Sequence, residues 1–179
     1  FSGMPTFQIS PSYGSSSLIT AVERAYSLWL PNPANLVFIM MLGFYILLLA
    51  CRLRWHVALL GAIAYAFSSY FFIIIGAGHI WKFATLAYIP PTIAGIVLAY
   101  RGRYLLGGAL AAFFAMLQLA ANHPQMTYYF LFVIAAMVVA YLYQAYKDKA
   151  LKRWGIATAT LAGAALLAVA SNATSLYNT

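Results

Sequence analysis

Long apolar runs separated by short polar breaks dominate the chain, and the runs fall at about 34–51, 57–76, 80–100, 104–121, 126–146 and 154–171. A bilayer core of about 30 Å is crossed by roughly 20 apolar residues in a helix. Lipid offers no partner for backbone N–H and C=O groups, so runs of this length predict helices and exclude open sheet. The pattern therefore predicts an all-α transmembrane bundle of about six spanning helices, with neighbours joined as antiparallel hairpins. Ahead of it, Leu18, Ile19, Val22, Ala25, Tyr26, Trp29 and Leu30 recur at helical spacing, with Thr20, Glu23, Arg24 and Ser27 opposite. That stretch predicts an amphipathic helix, lying in the membrane interface or packed on protein. Residues 1–17, rich in Ser, Gly and Pro, read as a loop.

Composition agrees with the pattern. The 179 residues are 65% hydrophobic and only 7% charged, where a soluble domain carries roughly 25% charged residues. The net charge of +8 is distributed in a way that argues against nucleic acid as a partner. Eight of the ten basic residues occupy three alternate loops: Arg52 and Arg54; Arg101 and Arg103; Lys147, Lys149, Lys152 and Arg153. The positive-inside rule places those loops in the cytoplasm. Residues 1–33, the turns near 77–80 and 122–125, and the tail 172–179 then face outward. The expected organisation is an extracytoplasmic loop with its helix (1–33), a six-helix membrane domain (34–171) and an extracytoplasmic tail. The lone Cys51 permits no intrachain disulfide. A chain opening on Phe1 is expected to be a segment of a longer or processed protein.

Two features inside the runs bear on packing. Pro90-Pro91 predicts a kink or break in the third run, because proline removes a hydrogen bond and crowds the carbonyl four residues back. Gly107-Gly108 and the Ala/Gly-rich stretch 155–170, with Gly155 and Gly163, predict small-residue packing surfaces.

Candidate chemistry concentrates on the outward side. Gly78-His79-Ile80-Trp81-Lys82 and Asn122-His123-Pro124-Gln125 supply polar groups at the ends of spans, and Ser171-Asn172 a third set. Lys82 is the candidate phosphate partner, as a point charge. His79, Asn122, His123 and Gln125 are candidate phosphate or sugar ligands. Two histidines without carboxylate or thiolate companions make a poor zinc set, so no metal is expected. Glu23 and Asp148 are the only carboxylates, and no span carries one, which argues against proton- or cation-coupled transport. A P-loop, a dinucleotide fingerprint and a Ser/His/Asp set are absent from the sequence.

The segments FSGMPTFQIS, GHIWKFATLAYIP, RGRYLLGGALAAFFAMLQLAANHPQMTYYF and SNATSLYNT together resemble the YfhO family of bacterial membrane proteins, particularly its Bacteroidetes-type members. The resemblance covers nearly the whole chain. It implies a multi-pass protein of the bacterial cytoplasmic membrane, similar to GT-C glycosyltransferases that take a sugar from a polyprenyl-phosphate carrier at the outer face. It further implies that residues 1–33 belong to the first large extracytoplasmic loop, with the catalytic acid upstream of Phe1 and the carrier lipid as donor rather than a resident cofactor. Lys82 and His79 would then face the leaving phosphate, and Asn122, His123 and Gln125 would position sugar or phosphate. Two other readings stand beside it: a non-catalytic accessory subunit of a larger membrane complex, such as a respiratory one, and a lipid or solute transporter.

Overall fold

The structure, a computed structural model, describes residues 17–173. Residues 1–16 of the expected loop and 174–179 of the expected tail lie outside them. The described residues form eight helices in order: α1 Ser17–Tyr26, α2 Ala34–Ala50, α3 Trp55–Ala66, α4 Ser69–Gly76, α5 Ile80–Tyr100, α6 Tyr104–Ala120, α7 Pro124–Lys147 and α8 Leu151–Ser171. No strand occurs among the described residues. Among the described residues three helices, α5, α7 and α8, are long and apolar enough to cross a membrane, or four spans if α3 and α4 count as one bent pair. The helices α2 and α6, at 17 residues each, are apolar but shorter. The expectation of six spans is thus met in part.

The hairpins are tight because their helices end in left-handed caps. Arg52, Gly78, Gly102 and Lys149 all have positive φ. In each case the next residue's N–H reaches back across the turn: Leu53 to Leu48, His79 to Ile74, Arg103 to Leu98 and Ala150 to Ala145, at 2.8–3.1 Å. This closure satisfies carbonyls that a helix end leaves orphaned and reverses the chain in a few residues. At Gly78 and Gly102, φ of 76° and 89° is cheap only without a Cβ.

The interhelical contacts fix the directions. Phe44 stacks on Tyr65 at 3.9 Å, pairing α2 with α3. The guanidinium of Arg101 donates to the Ala50 carbonyl, which brings the C-terminal ends of α2 and α5 together. Gly95 and Gly107 sit back to back, so that a Cβ at Gly107 would lie 2.4 Å from the Ala99 nitrogen and one at Gly95 2.6 Å from the Ala111 nitrogen. The i, i+4 pairs Gly95/Ala99 and Gly107/Ala111 thereby let two antiparallel backbones touch. As the chain alternates, the loops carrying Arg52, Arg54, Arg101, Arg103, Lys147, Lys149, Lys152 and Arg153 gather at one end of the bundle, here the basic end. The turns before α5 and α7 gather at the other.

Three expectations need correction. The run 57–76 is not one straight helix: α3 and α4 meet at 41°. The bend falls at Phe67-Ser68, where Ser68 leaves helical geometry (φ −61°, ψ 136°); paired serines are a recognised kink site. Of the expected kink or break at the proline pair, the break does not occur, since α5 runs continuously from Ile80 to Tyr100. There Gly43 of α2 passes so close that a Cβ would stand 2.8 Å from the Ala87 carbonyl oxygen, one that Pro91 leaves without its helical donor. Finally, Gly155 and Gly163 meet nothing within 4 Å, so they are not packing surface within this chain. Helix α8 instead buries Ala157, Ala164 and Ala168.

Of the two expectations for the amphipathic segment, the described contacts show packing on protein. Ile19 is buried in the core cluster with Met40, Phe83, Tyr88 and Phe114, and Val22 and Tyr26 pack against the same cluster. Leu18 and Trp29 remain exposed.

Candidate functional site

The end of the bundle opposite the basic loops is where α1 docks and where α5 and α7 begin. Each sequence candidate lies at this end, in two groups. His79 caps α5 and is exposed, and Lys82 is half-buried in the first turn that follows. Asn122, His123 and Gln125 share the turn between α6 and α7. Asn122 adopts φ 50°, a left-handed value that asparagine tolerates better than most residues. His123 is the N-cap of α7, and Pro124 at the first helical position needs no N–H partner. Gln125 is exposed and donates from Nε2 to the Tyr129 hydroxyl at 3.2 Å, one turn along α7. No group of three or more His, Cys, Asp or Glu side chains suited to a metal occurs among the described residues.

The electrostatics of this end suit an anion. The first turn of α5 presents the Trp81 and Lys82 N–H groups, and that of α7 the Gln125 N–H, without a backbone acceptor, and each helix dipole adds partial positive charge there. Lys82 supplies a full charge. Neither first turn carries an acidic residue.

Beneath α1 the structure adds groups that the sequence did not single out. The Tyr88 hydroxyl donates to Glu23 Oε1 at 2.8 Å, tying α1 to the middle of α5. Tyr88 itself is fully buried. The Tyr26 ring meets Phe114 edge-on at 5.4 Å and Phe113 at 6.3 Å. Burial pushes the Tyr26 phenol above the ordinary tyrosine range, so it stays neutral. Its hydroxyl, Gln118 Nε2, His123 Nδ1 and Asn172 Oδ1 are buried polar atoms without a protein hydrogen-bond partner. All four belong to the same end of the bundle, because Gln118 lies in the last turn of α6 and Asn172 caps α8. Asn172 also joins α8 to α6 by donating to the Met116 carbonyl at 3.1 Å.

A buried polar atom without a partner costs about 1–3 kcal/mol. Four at one end of an otherwise apolar bundle mark it as the polar pole of the molecule. Gln118 had a signal in the sequence, as an amide inside an apolar run. Tyr88 had none, since a tyrosine in a span usually marks an interface. Glu23 was visible as the one outward carboxylate, but its partner sits 65 residues away.

Comparison with known proteins gives no matching family model, no matching curated protein and no matching solved structure.

Proposed function

We propose that this chain is the membrane-embedded part of a glycosyltransferase that uses a polyprenyl-phosphate-linked sugar at the extracytoplasmic face of a bacterial membrane. The observation that carries this reading is the polar pole: Lys82, the N-termini of α5 and α7, and the buried polar atoms of His123 and Gln118 at one end of an apolar bundle. A sugar transfer from a lipid phosphate needs positive charge aimed at the phosphate as it leaves, held in a site of low dielectric. Lys82 and the first-turn amides of α5 supply it. His79, exposed at the start of α5, and Asn122, His123 and Gln125 offer neutral donors and acceptors for sugar hydroxyls or phosphate. No residue of this sequence is assigned the acceptor's proton, since its two carboxylates are Asp148, at the basic end, and Glu23. Glu23 is assigned a tethering role instead, since the Tyr88 hydroxyl occupies one of its oxygens.

The direct test is transfer from a polyprenyl-phosphate-linked sugar in membranes containing the protein. Lys82→Met should lower turnover by about 10²–10³, the scale for removing one charge-stabilising donor, at unchanged abundance. Wild-type activity in that variant would remove Lys82 from the chemistry. Glu23→Gln should retain most activity, and complete loss with α1 still docked would instead make Glu23 the base.

A second reading, an accessory subunit of a larger membrane complex, draws on a different observation. Helix α7 buries only 6% of its apolar stretch and α8 only 17%. Such faces suit partner helices as well as lipid. Stoichiometric recovery with other membrane proteins, together with no transfer activity from wild type, would favour it.

A further inference from the structure

The basic end of the bundle holds a second site with a different character. A cavity of about 250 Å³ lies among α5, α6, α7 and α8, walled by Ile96, Ala111, Ile134, Val138 and Leu161. Its two hydroxyl residues at the basic side, Tyr100 and Thr158, are hydrogen bonded to each other at 3.0 Å. Beyond Tyr100 a smaller cavity, about 160 Å³, is lined by Gln144, Asp148, Arg153 and Trp154. Tyr100 lines both and stacks on Tyr141 at 4.2 Å, so one aromatic pair forms the boundary between an apolar chamber and a polar mouth. The Trp154 indole N–H donates to the Val138 carbonyl at 3.3 Å and holds the α7–α8 corner that frames both.

We propose that the two cavities together bind one anionic glycerophospholipid, with an acyl chain in the apolar chamber and the phosphate at Arg153. Four observations select this occupant. The chamber is walled by side chains of the apolar helices, at the depth where acyl chains are the available solvent. The mouth opens where Lys147, Lys149, Lys152 and Arg153 outnumber the single Asp148, and basic pockets between spans suit anionic heads. Tyr100, Tyr141 and Trp154 mark the boundary level at which amphipathic rings settle. Asp148 and Gln144 in the same mouth suit a head that carries hydroxyl donors beside its phosphate. Arg101 is excluded from the role because its guanidinium is committed to the Ala50 carbonyl. This site lies at the opposite end of the bundle from the polar pole and does not depend on the glycosyltransferase reading.

The test is native mass spectrometry of the purified full-length protein with dioleoyl phosphatidylglycerol or dioleoyl phosphatidylcholine, which differ only in the head. Phosphatidylglycerol should be retained at least about fivefold better, the scale of one basic residue near a lipid surface. Arg153→Gln should bring it to the phosphatidylcholine level, and Arg153→Lys should keep most of the preference. Arg54→Gln, at the same end but lining neither cavity, should change nothing. Ala162→Leu, which fills the chamber from α8, should weaken retention of both lipids. Equal retention of the two lipids by the wild type overturns the proposal, and so does the same loss from Arg54→Gln as from Arg153→Gln. Should Ala162→Leu fail to fold, quenching by phosphatidylglycerol with brominated chains replaces it. Quenching should fall when Trp154 is replaced by Phe, and unchanged quenching overturns the placement.

Discussion

Helices α5 and α7 are both spans by length and hydropathy, yet they occupy opposite environments. The most apolar stretch of α5 is 72% buried, and the still more apolar stretch of α7 is 6% buried. The more apolar stretch is the more exposed one. In water that ordering would be perverse, but lipid removes the hydrophobic drive for helices to associate. What selects the centre of the bundle is the ability of backbones to approach and of polar groups to find partners. Helix α5 has both, through Gly95, Ala99, Thr85, Thr92 and Tyr88, whereas α7 faces outward with Leu131, Phe132, Val139 and Tyr143.

That contrast is broken most severely at the α5–α6 seam. Gly107→Leu should abolish the folded bundle, because its side chain would start 2.4 Å from the Ala99 nitrogen, with backbone rather than a movable side chain in the way. Loss of the monodisperse peak in detergent size-exclusion chromatography would show it. Phe114→Ala comes next. It opens a cavity beneath α1 and should cost about 3–5 kcal/mol, measured as a lowered unfolding midpoint. Tyr88→Phe is milder, removing the hydroxyl that holds Glu23, and should cost about 1.5–3 kcal/mol at most. Its specific sign is faster proteolysis within α1, with the midpoint of the bundle little changed. Gly163→Leu on the exposed face of α8 should alter stability by less than about 0.5 kcal/mol. A large loss there would mean that α8 packs through a face the described contacts leave open.

The same physics explains which parts of the molecule were legible in the sequence. The helical class, the alternation of basic loops and the positions of α5, α6 and α8 follow from apolar run length and Lys/Arg placement, both local quantities. The bend at Phe67-Ser68 and the unbroken α5 were not legible. Pro90-Pro91 carried the stronger local signal, but its effect depended on Gly43 of a different helix arriving at Ala87. The packing of α8 through alanines rather than Gly155 and Gly163 was likewise a matter of helix rotation, which run length does not encode. At the polar pole, His79, Lys82, Asn122, His123 and Gln125 stood out as polar words between apolar runs. Tyr88, Tyr26 and Gln118 belong to it only through tertiary placement, by way of α1 folding back onto the bundle.

The account rests on one end of the bundle lying outside the membrane and the other in the cytoplasm. Labelling of single cysteines by a membrane-impermeant maleimide tests this directly, in intact cells and in a Cys51→Ser background. Ala77→Cys and Gln125→Cys, both exposed at the polar pole, should label without permeabilisation. Leu53→Cys and Asp148→Cys, exposed at the basic end, should label only after it. The reverse pattern, or labelling of both ends from one side, would contradict both the orientation and the proposed extracytoplasmic chemistry.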